Sequence, residues 1–244
     1  MLKVPTLTVH VIVKEKVPEN SVFVTGFRGI GIVGYITVKY IVNTLNPRLI
    51  GIIETDDLPP FVWMEKDRLI TPYQLYAYNH LVLLVAEGLP SLRRQYVFLR
   101  QVADWVIENR FKEALLIGGL DSRFQPSPGD KVRVAFTNAY IKRCTNLNYP
   151  ILEKGLMITG PVALMLSRFE VRDFPALALL PYASAVHPDP MAAATAIECL
   201  NKMYGLNIDF SELIKDAKRI EEQVREELKR RSERLRYEAG QAYI

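Results

Sequence analysis

Residues 21–34, Ser-Val-Phe-Val-Thr-Gly-Phe-Arg-Gly-Ile-Gly-Ile-Val-Gly, pass from a short apolar stretch through a glycine-rich turn into a helix-forming segment. Ser21–Thr25 has the length and β-branched content of a buried strand, and Ile32–Leu45 carries a helical pattern. A strand that enters a helix through a glycine turn opens a βαβ unit. The segment therefore predicts a parallel sheet covered by helices.

Working outward, period-2 or all-apolar runs at Thr6–Val13, Arg48–Glu54, His80–Ala86, Glu113–Gly118, Lys131–Thr137 and Ala176–Leu180 read as further strands. Helical patterns lie between them at Leu92–Asn109, with Tyr96, Leu99, Val102, Ala103 and Val106 on one face, and at Pro161–Phe169. Phe61–Glu65 and Arg68–Tyr78 interrupt the alternation and predict an inserted β-hairpin. Gly119–Asp130 is a long, turn-rich loop of the kind that carries contacts. Asp189 should cap a helix over Met191–Tyr204, with Pro190 at its first position.

The last part of the chain differs in kind. Asp209-Phe-Ser-Glu212 has capping-box spacing, and Phe210 to Glu238 contains neither Gly nor Pro. One continuous helix there would be about 43 Å long, against a radius of gyration of roughly 17 Å for the preceding body. Residues 1–208 are thus expected to form the body and 209–244 a helix that crosses or leaves it. Leu213, Ala217, Ile220, Val224 and Leu228 give the helix a buried face at first. From Asp209 onward nine basic and nine acidic residues balance, so the later turns read as a neutral, self-paired rod. Gly240 stops it, leaving Gln241-Ala242-Tyr243-Ile244 as a free tail.

Composition narrows the function. Of 244 residues 49% are hydrophobic and 24% charged, which excludes disorder and fibres. The net charge of +4 is too small and too scattered for a nucleic-acid surface, so no nucleic-acid partner is expected. No apolar run approaches membrane-spanning length, and Met1-Leu2-Lys3-Val4-Pro5 lacks the apolar stretch of a signal peptide; a cytoplasmic protein with no membrane contact is expected. Cys144 and Cys199 are the only cysteines, read as buried free thiols.

Gly29-Ile30-Gly31-Ile32-Val33-Gly34 fits G-x-G-x-x-G, and Glu54 follows twenty residues after the last glycine, at the end of the next strand. Such spacing matches a dinucleotide fingerprint, in which glycines let the backbone approach a pyrophosphate at a helix N-terminus. Gly26, Gly29, Gly31, Gly34, Glu54 and Asp56 are therefore candidate ligand-binding residues. The competing reading is that these glycines only pack a helix onto a strand. Phe27 and Arg28 inside the turn, and the lack of a proton or hydride partner, favour packing, and no cofactor is expected. Glu54, Asp56 and Asp57 place three carboxylates within four positions, a possible acid–base site; a solvated turn closed by Pro59-Pro60 is the favoured reading. Thr159-Gly160-Pro161 and Ile117-Gly118-Gly119 offer open backbone at strand ends, enough for a pocket but not for a reaction. No Gly-Lys-Ser/Thr supports a P-loop, no G-x-S-x-G supplies a nucleophile elbow, and His10, His80 and His187 have no metal-ligand spacing. No metal site, catalytic residue or enzyme activity is expected.

The strand–Gly-Phe-Arg-Gly-Ile-Gly-Ile-Val-Gly–helix segment, Glu87-Gly88-Leu89-Pro90, Gly118-Gly119-Leu120, Ile158-Thr159-Gly160-Pro161 and Pro188-Asp189-Pro190-Met191-Ala192-Ala193-Ala194 together resemble the proteasome assembly chaperone 2 family, over roughly residues 7 to 244. The order and spacing of these segments carry the resemblance. It implies a three-layer α/β/α sandwich with a largely parallel mixed sheet, related to nucleoside phosphorylases, and a homo-oligomer without established catalysis. Ala242-Tyr243-Ile244 resembles the hydrophobic-Tyr-any motif with which proteasome activators and assembly factors dock between adjacent 20S α-subunits, with Ala242 smaller than the residue usual there. The partner implied is the proteasome 20S α-ring. The alternative is an enzyme or binding protein for a nucleotide-like ligand at the Gly-rich turn, ligase-like or phosphorylase-like.

Overall fold

A computed structural model describes residues 8–65, 67–144, 148–220, 222, 223 and 226. In chain order the strands are β1 (Val9–Val13), β2 (Val22–Gly26), β3 (Arg48–Thr55), β4 (Trp63–Glu65), β5 (Arg68–Ile70), β6 (Tyr73–Tyr78), β7 (Leu81–Ala86), β8 (Glu113–Ile117), β9 (Leu120–Asp121), β10 (Val132–Phe136) and β11 (Ala176–Ala183). The helices are α1 (Val33–Leu45), α2 (Leu92–Glu108), α3 (Asn138–Arg143), α4 (Gly160–Val171), α5 (Pro190–Tyr204) and α6, over 211–220.

Nine strands form one mixed sheet in the order β1-β3-β6-β7-β2-β8-β11-β10, with β9 beside β11. The central four, β7, β2, β8 and β11, run parallel, and antiparallel strands flank them on both sides. Helices α2 and α4 cover one face, α1 and α5 the other. This is the three-layer α/β/α arrangement. Period 2 operates even inside the all-apolar strand β7: Val82 and Leu84 pack under α2 and α4, while Leu81 and Leu83 pack under α1 and α5. A strand covered on both faces needs apolar residues at every position, which is why it shows no polar alternation.

The structure corrects several sequence readings. The second hairpin arm, Arg68–Tyr78, divides at Thr71-Pro72. Its first part, β5, pairs with β4 as a small separate ribbon, whereas β6 enters the main sheet between β3 and β7. Proline supplies no ladder amide and restrains the residue before it, so the run breaks there. On α2 the buried face contains Phe98 beside Leu99, Val102, Ala103 and Val106, whereas Tyr96 is exposed. Cys199 is buried, but Cys144 is only half-buried. The short helix α3 and strand β9 had no counterpart in the sequence reading.

Asp189 caps α5 as expected, accepting from the Ala192 amide at 2.9 Å, with Pro190 in the first turn. At α6, Asp209 accepts instead from the Ser211 amide and hydroxyl, both at 2.9 Å, and Glu212 turns to Lys215 at 2.6 Å. The aspartate closes a turn there, and the reciprocal half of a capping box does not form. Leu213 and Ala217, each 4% exposed, seat the first turns of α6 on the body, and the Tyr40 hydroxyl donates to the Asp209 carbonyl at 2.9 Å.

Candidate functional site

Three of the four glycines of the 26–34 turn are consumed by packing and turning, Gly29 being the exception. A Cβ on Gly26 would overlap the Gly34 carbonyl, and one on Gly34 would overlap the Ile117 carbonyl, so the start of α1 lies directly on β2 and β8. Gly31 sits at φ +59°, and its carbonyl accepts from the Asp189 amide at 2.8 Å, tying the turn to the start of α5. Steric demand thus accounts for Gly26, Gly31 and Gly34 without a ligand.

The carboxylates proposed to join them lie elsewhere. Glu54 is on β3, facing His10 across the β1 pairing, and β6 and β7 stand between β3 and β2. Three strand spacings of about 4.8 Å put it roughly 14 Å along the sheet from the strand that carries the turn. A dinucleotide fingerprint needs its acidic residue on the neighbouring strand, and the insertion of β6 and β7 removes that relationship. Asp56 accepts from the Thr8 amide at 3.1 Å, and Asp57 accepts from the Ser91 amide and hydroxyl at 3.0 and 2.7 Å. These carboxylates hold loops together.

What the turn does meet are the other two open-backbone segments. Phe27–Ile30, Gly118–Leu120 and Met157–Val162, with Leu180 behind them, enclose a cavity of about 300 Å³. It opens between the C-terminal ends of β2 and β8. From β2 the chain runs through α1 toward β3, whereas from β8 it runs toward β10 and β11 on the other side. Adjacent parallel strands whose connections diverge leave a crevice at their carboxyl ends, and this is where open α/β sheets take ligands.

A charge network built on one buried carboxylate stands beside it, and the sequence reading gave its members no chemical role. Glu87, at the end of β7 with its side chain 4% exposed, receives the Lys39 ammonium at 2.8 Å and the Tyr35 hydroxyl at 2.5 Å. Lys39 also reaches Glu65 of β4 at 3.1 Å and lies 5.6 Å from the Trp63 ring centroid. Arg28 stacks on the Tyr35 ring at 4.0 Å and donates to the Glu87 carbonyl at 3.3 Å. Desolvation first, then the Glu87 hydrogen bond, pushes the Tyr35 pKa up to about 12. With each group partnered, the network clamps α1 to β7 and to the β4–β5 ribbon. The signal in the sequence was a glutamate directly ending an all-apolar strand.

Among the described residues no three His, Cys, Asp or Glu side chains converge as metal ligands. His187 Nδ1 lies 2.9 Å from the Pro188 carbonyl beside it, and Asp189 is committed to capping. Burial pushes the Cys199 thiol up, away from the nucleophilic thiolate. No helix among the described residues is long and apolar enough to cross a membrane. Ala242, Tyr243 and Ile244 lie outside the described residues.

Comparison with known proteins agrees with the layering. An uncharacterized protein of Methanocaldococcus jannaschii is 27% identical over 213 residues, 85% of each chain. Pyrococcus furiosus PbaA, described as an archaeal homolog of proteasome-assembly chaperone, superposes with a TM-score of 0.78 at 26% identity, covering 96% of this chain and 97% of its own. Pyrococcus furiosus PbaB, described as an archaeal proteasome activator, has the same fold, with a TM-score of 0.69 at 21% identity over 89% of this chain and 98% of its own. The PAC2 family model matches residues 23–228, nearly the whole sandwich and all of α6 as described, and the chain belongs to the PAC2 family.

Proposed function

We propose that this protein is a proteasome-related chaperone that acts by binding and without catalysis, offering its last three residues to pockets of the 20S α-ring. The family match over residues 23–228 supports the chaperone role, and the docking of the tail, which lies beyond that match, rests on the likeness of Ala242-Tyr243-Ile244 to a hydrophobic-Tyr-any motif. The near full-length likeness to PbaA, a homolog of proteasome-assembly chaperone, supports the chaperone role as well.

Docking would work through two groups. The Tyr243 ring fills a slot between adjacent α-subunits with its hydroxyl hydrogen-bonded, and the Ile244 carboxylate pairs with a pocket cation. Ala242 contributes little apolar area, so a single tail binds weakly. A homo-oligomer in the cytoplasm offsets this by presenting several tails to one ring, where each binding event raises the effective concentration for the next. The buried seat of Leu213 and Ala217 supplies a fixed root for such an arm. The nine basic and nine acidic residues from Asp209 onward balance, which gives such an arm no net attraction for nucleic acid.

The test is co-elution of the full chain with 20S α-subunits, compared with a chain lacking Ala242-Tyr243-Ile244 and with Tyr243→Ala. Loss of co-elution in both variants, with thermal midpoints unchanged, is the expected result, because a terminal segment adds little to stability. Undiminished co-elution of the shortened chain would overturn tail docking.

A further inference from the structure

The lining of the cavity at the divergence of β2 and β8 is one-sided in charge. Arg28 is the only ionisable side chain among the lining residues, whose other members are Phe27, Leu120, Leu180 and further apolar groups, glycine and proline backbone, and Thr159. No carboxylate among the described residues lies in salt-bridge reach of the Arg28 guanidinium, which is positioned by the Tyr35 ring and the Glu87 carbonyl. The Thr159 hydroxyl makes no capping bond to α4, and the first turn of α4 carries no acidic residue. An apolar chamber with one exposed cation at its rim, held by the Tyr35 ring and the Glu87 carbonyl, is complementary to a ligand with one negative charge and an apolar body.

Size and charge restrict the class. A volume of about 300 Å³ is at the small end for ligand sites and has room for roughly ten groups the size of a water molecule. That excludes a dinucleotide. One guanidinium balances one charge, so a doubly charged phosphate monoester would bring an unmatched charge into an apolar chamber. We propose that this cavity binds a small organic carboxylate, with the apolar body against Phe27, Val162 and Leu180 and the carboxylate toward Arg28. Backbone of Gly119 and Gly160 also lines the cavity, whereas Pro161 has no N–H to offer.

Gly29 provides one test, because it lines the cavity and a Cβ there meets nothing within 4 Å, so the fold accommodates a leucine at the cavity's edge. Phenylacetate serves as ligand, titrated into the full-length protein by calorimetry and by amide NMR. Phenylacetamide, which is uncharged, and inorganic phosphate serve as comparisons. Expected are saturable one-site binding of phenylacetate with shifts at the Gly29, Gly119 and Gly160 amides, and at least tenfold weaker binding of both comparison compounds. Arg28→Ala should weaken phenylacetate at least tenfold and Gly29→Leu should abolish its binding, with thermal midpoints within a few degrees of wild type. Absence of saturable binding, binding retained in Gly29→Leu, or equal affinity for phenylacetamide would each overturn the proposal.

Discussion

The Lys39 ammonium on α1 sits 2.8 Å from the Glu87 carboxylate at the end of β7, with the two side chains 20% and 4% exposed. A pair this dry is costly to desolvate and depends on its extra partners, Tyr35 and Glu65, to be stable at all. It fixes the helix that follows the glycine turn against the strand beside the turn, and so sets the geometry of the 27–30 loop.

Removing one partner strands the other. Lys39→Met is expected to destabilise by about 3 kcal/mol, lowering the thermal midpoint by roughly 6–12 °C for a chain of this size. The double variant Lys39→Met with Glu87→Leu should recover most of that loss, because an apolar pair replaces an ion pair at little net cost. Thermal melts of the three proteins check this.

The same network defines an alkaline limit. Burial works to lower the Lys39 pKa, but the hydrogen bond and charge of Glu87, aided by Glu65, outweigh it, and the net shift is upward from 10.5. A raised lysine pKa contributes stability that is whole below the unfolded value and is lost as pH rises through the folded one. Tyr35 acts in the same direction, since the unfolded phenol ionises near 10 while the folded one holds its proton to about 12. Urea midpoints measured from pH 9 to 12 should fall steeply for wild type and less steeply for Lys39→Met with Tyr35→Phe.

An acidic limit arises on the far side of the sheet. Arg133 of β10, buried, pairs with Glu153 at 2.5 Å and Asp130 at 3.1 Å and lies 5.3 Å from the Tyr182 ring centroid. Desolvation raises the Glu153 pKa, but the Arg133 bond outweighs it and the net shift is below 4.5. A depressed carboxylate contributes stability above its unfolded value and loses it as pH falls through the folded one. Urea midpoints between pH 5 and 3 should therefore drop less in Glu153→Gln than in wild type, while at pH 7 the variant should be the weaker protein.

Strand β2 and helix α1 were legible because burial on both faces and the helical period leave direct marks in the residues, and the glycines between them had a steric reason that composition alone suggested. The identity of neighbouring strands was not legible. Side-chain alternation tells which face a residue takes, not which strand lies beside it, so nothing in Glu54 revealed that β6 and β7 would come between it and Gly29. Pro72 was the readable sign that Arg68–Tyr78 is two strands. The convergence of Phe27–Ile30, Gly118–Leu120 and Thr159–Val162 could be read as three open ends, but only the sheet order brings them to one cavity.

The glycine turn gives a sharp contrast between two positions. Gly34→Ala drives a methyl into the Ile117 carbonyl and should cost about 3 kcal/mol or more, since neither backbone can yield without separating α1 from the sheet. Gly29→Ala meets open space and should change the urea midpoint little. Equal effects of the two substitutions would contradict the close approach of α1 to β8.

The seat of α6 determines whether an arm can be held at a set angle, and this can be measured without any partner. Leu213 buries its side chain among the residues that α1 and α5 place on one face of the sheet, while Ser211 and Glu212 beside it remain exposed. Truncating a buried leucine removes contacts and leaves a void, at a cost of about 2 kcal/mol or more. Because α6 packs through few such residues, the loss should fall first on the attachment of the helix and only then on the sandwich. Hydrogen exchange of the 211–220 amides in Leu213→Ala is expected to accelerate about tenfold or more relative to wild type, while the amides of β2, β7 and β8 keep their protection. Uniform acceleration across helix and sheet would mean instead that α6 and the sandwich unfold as one unit.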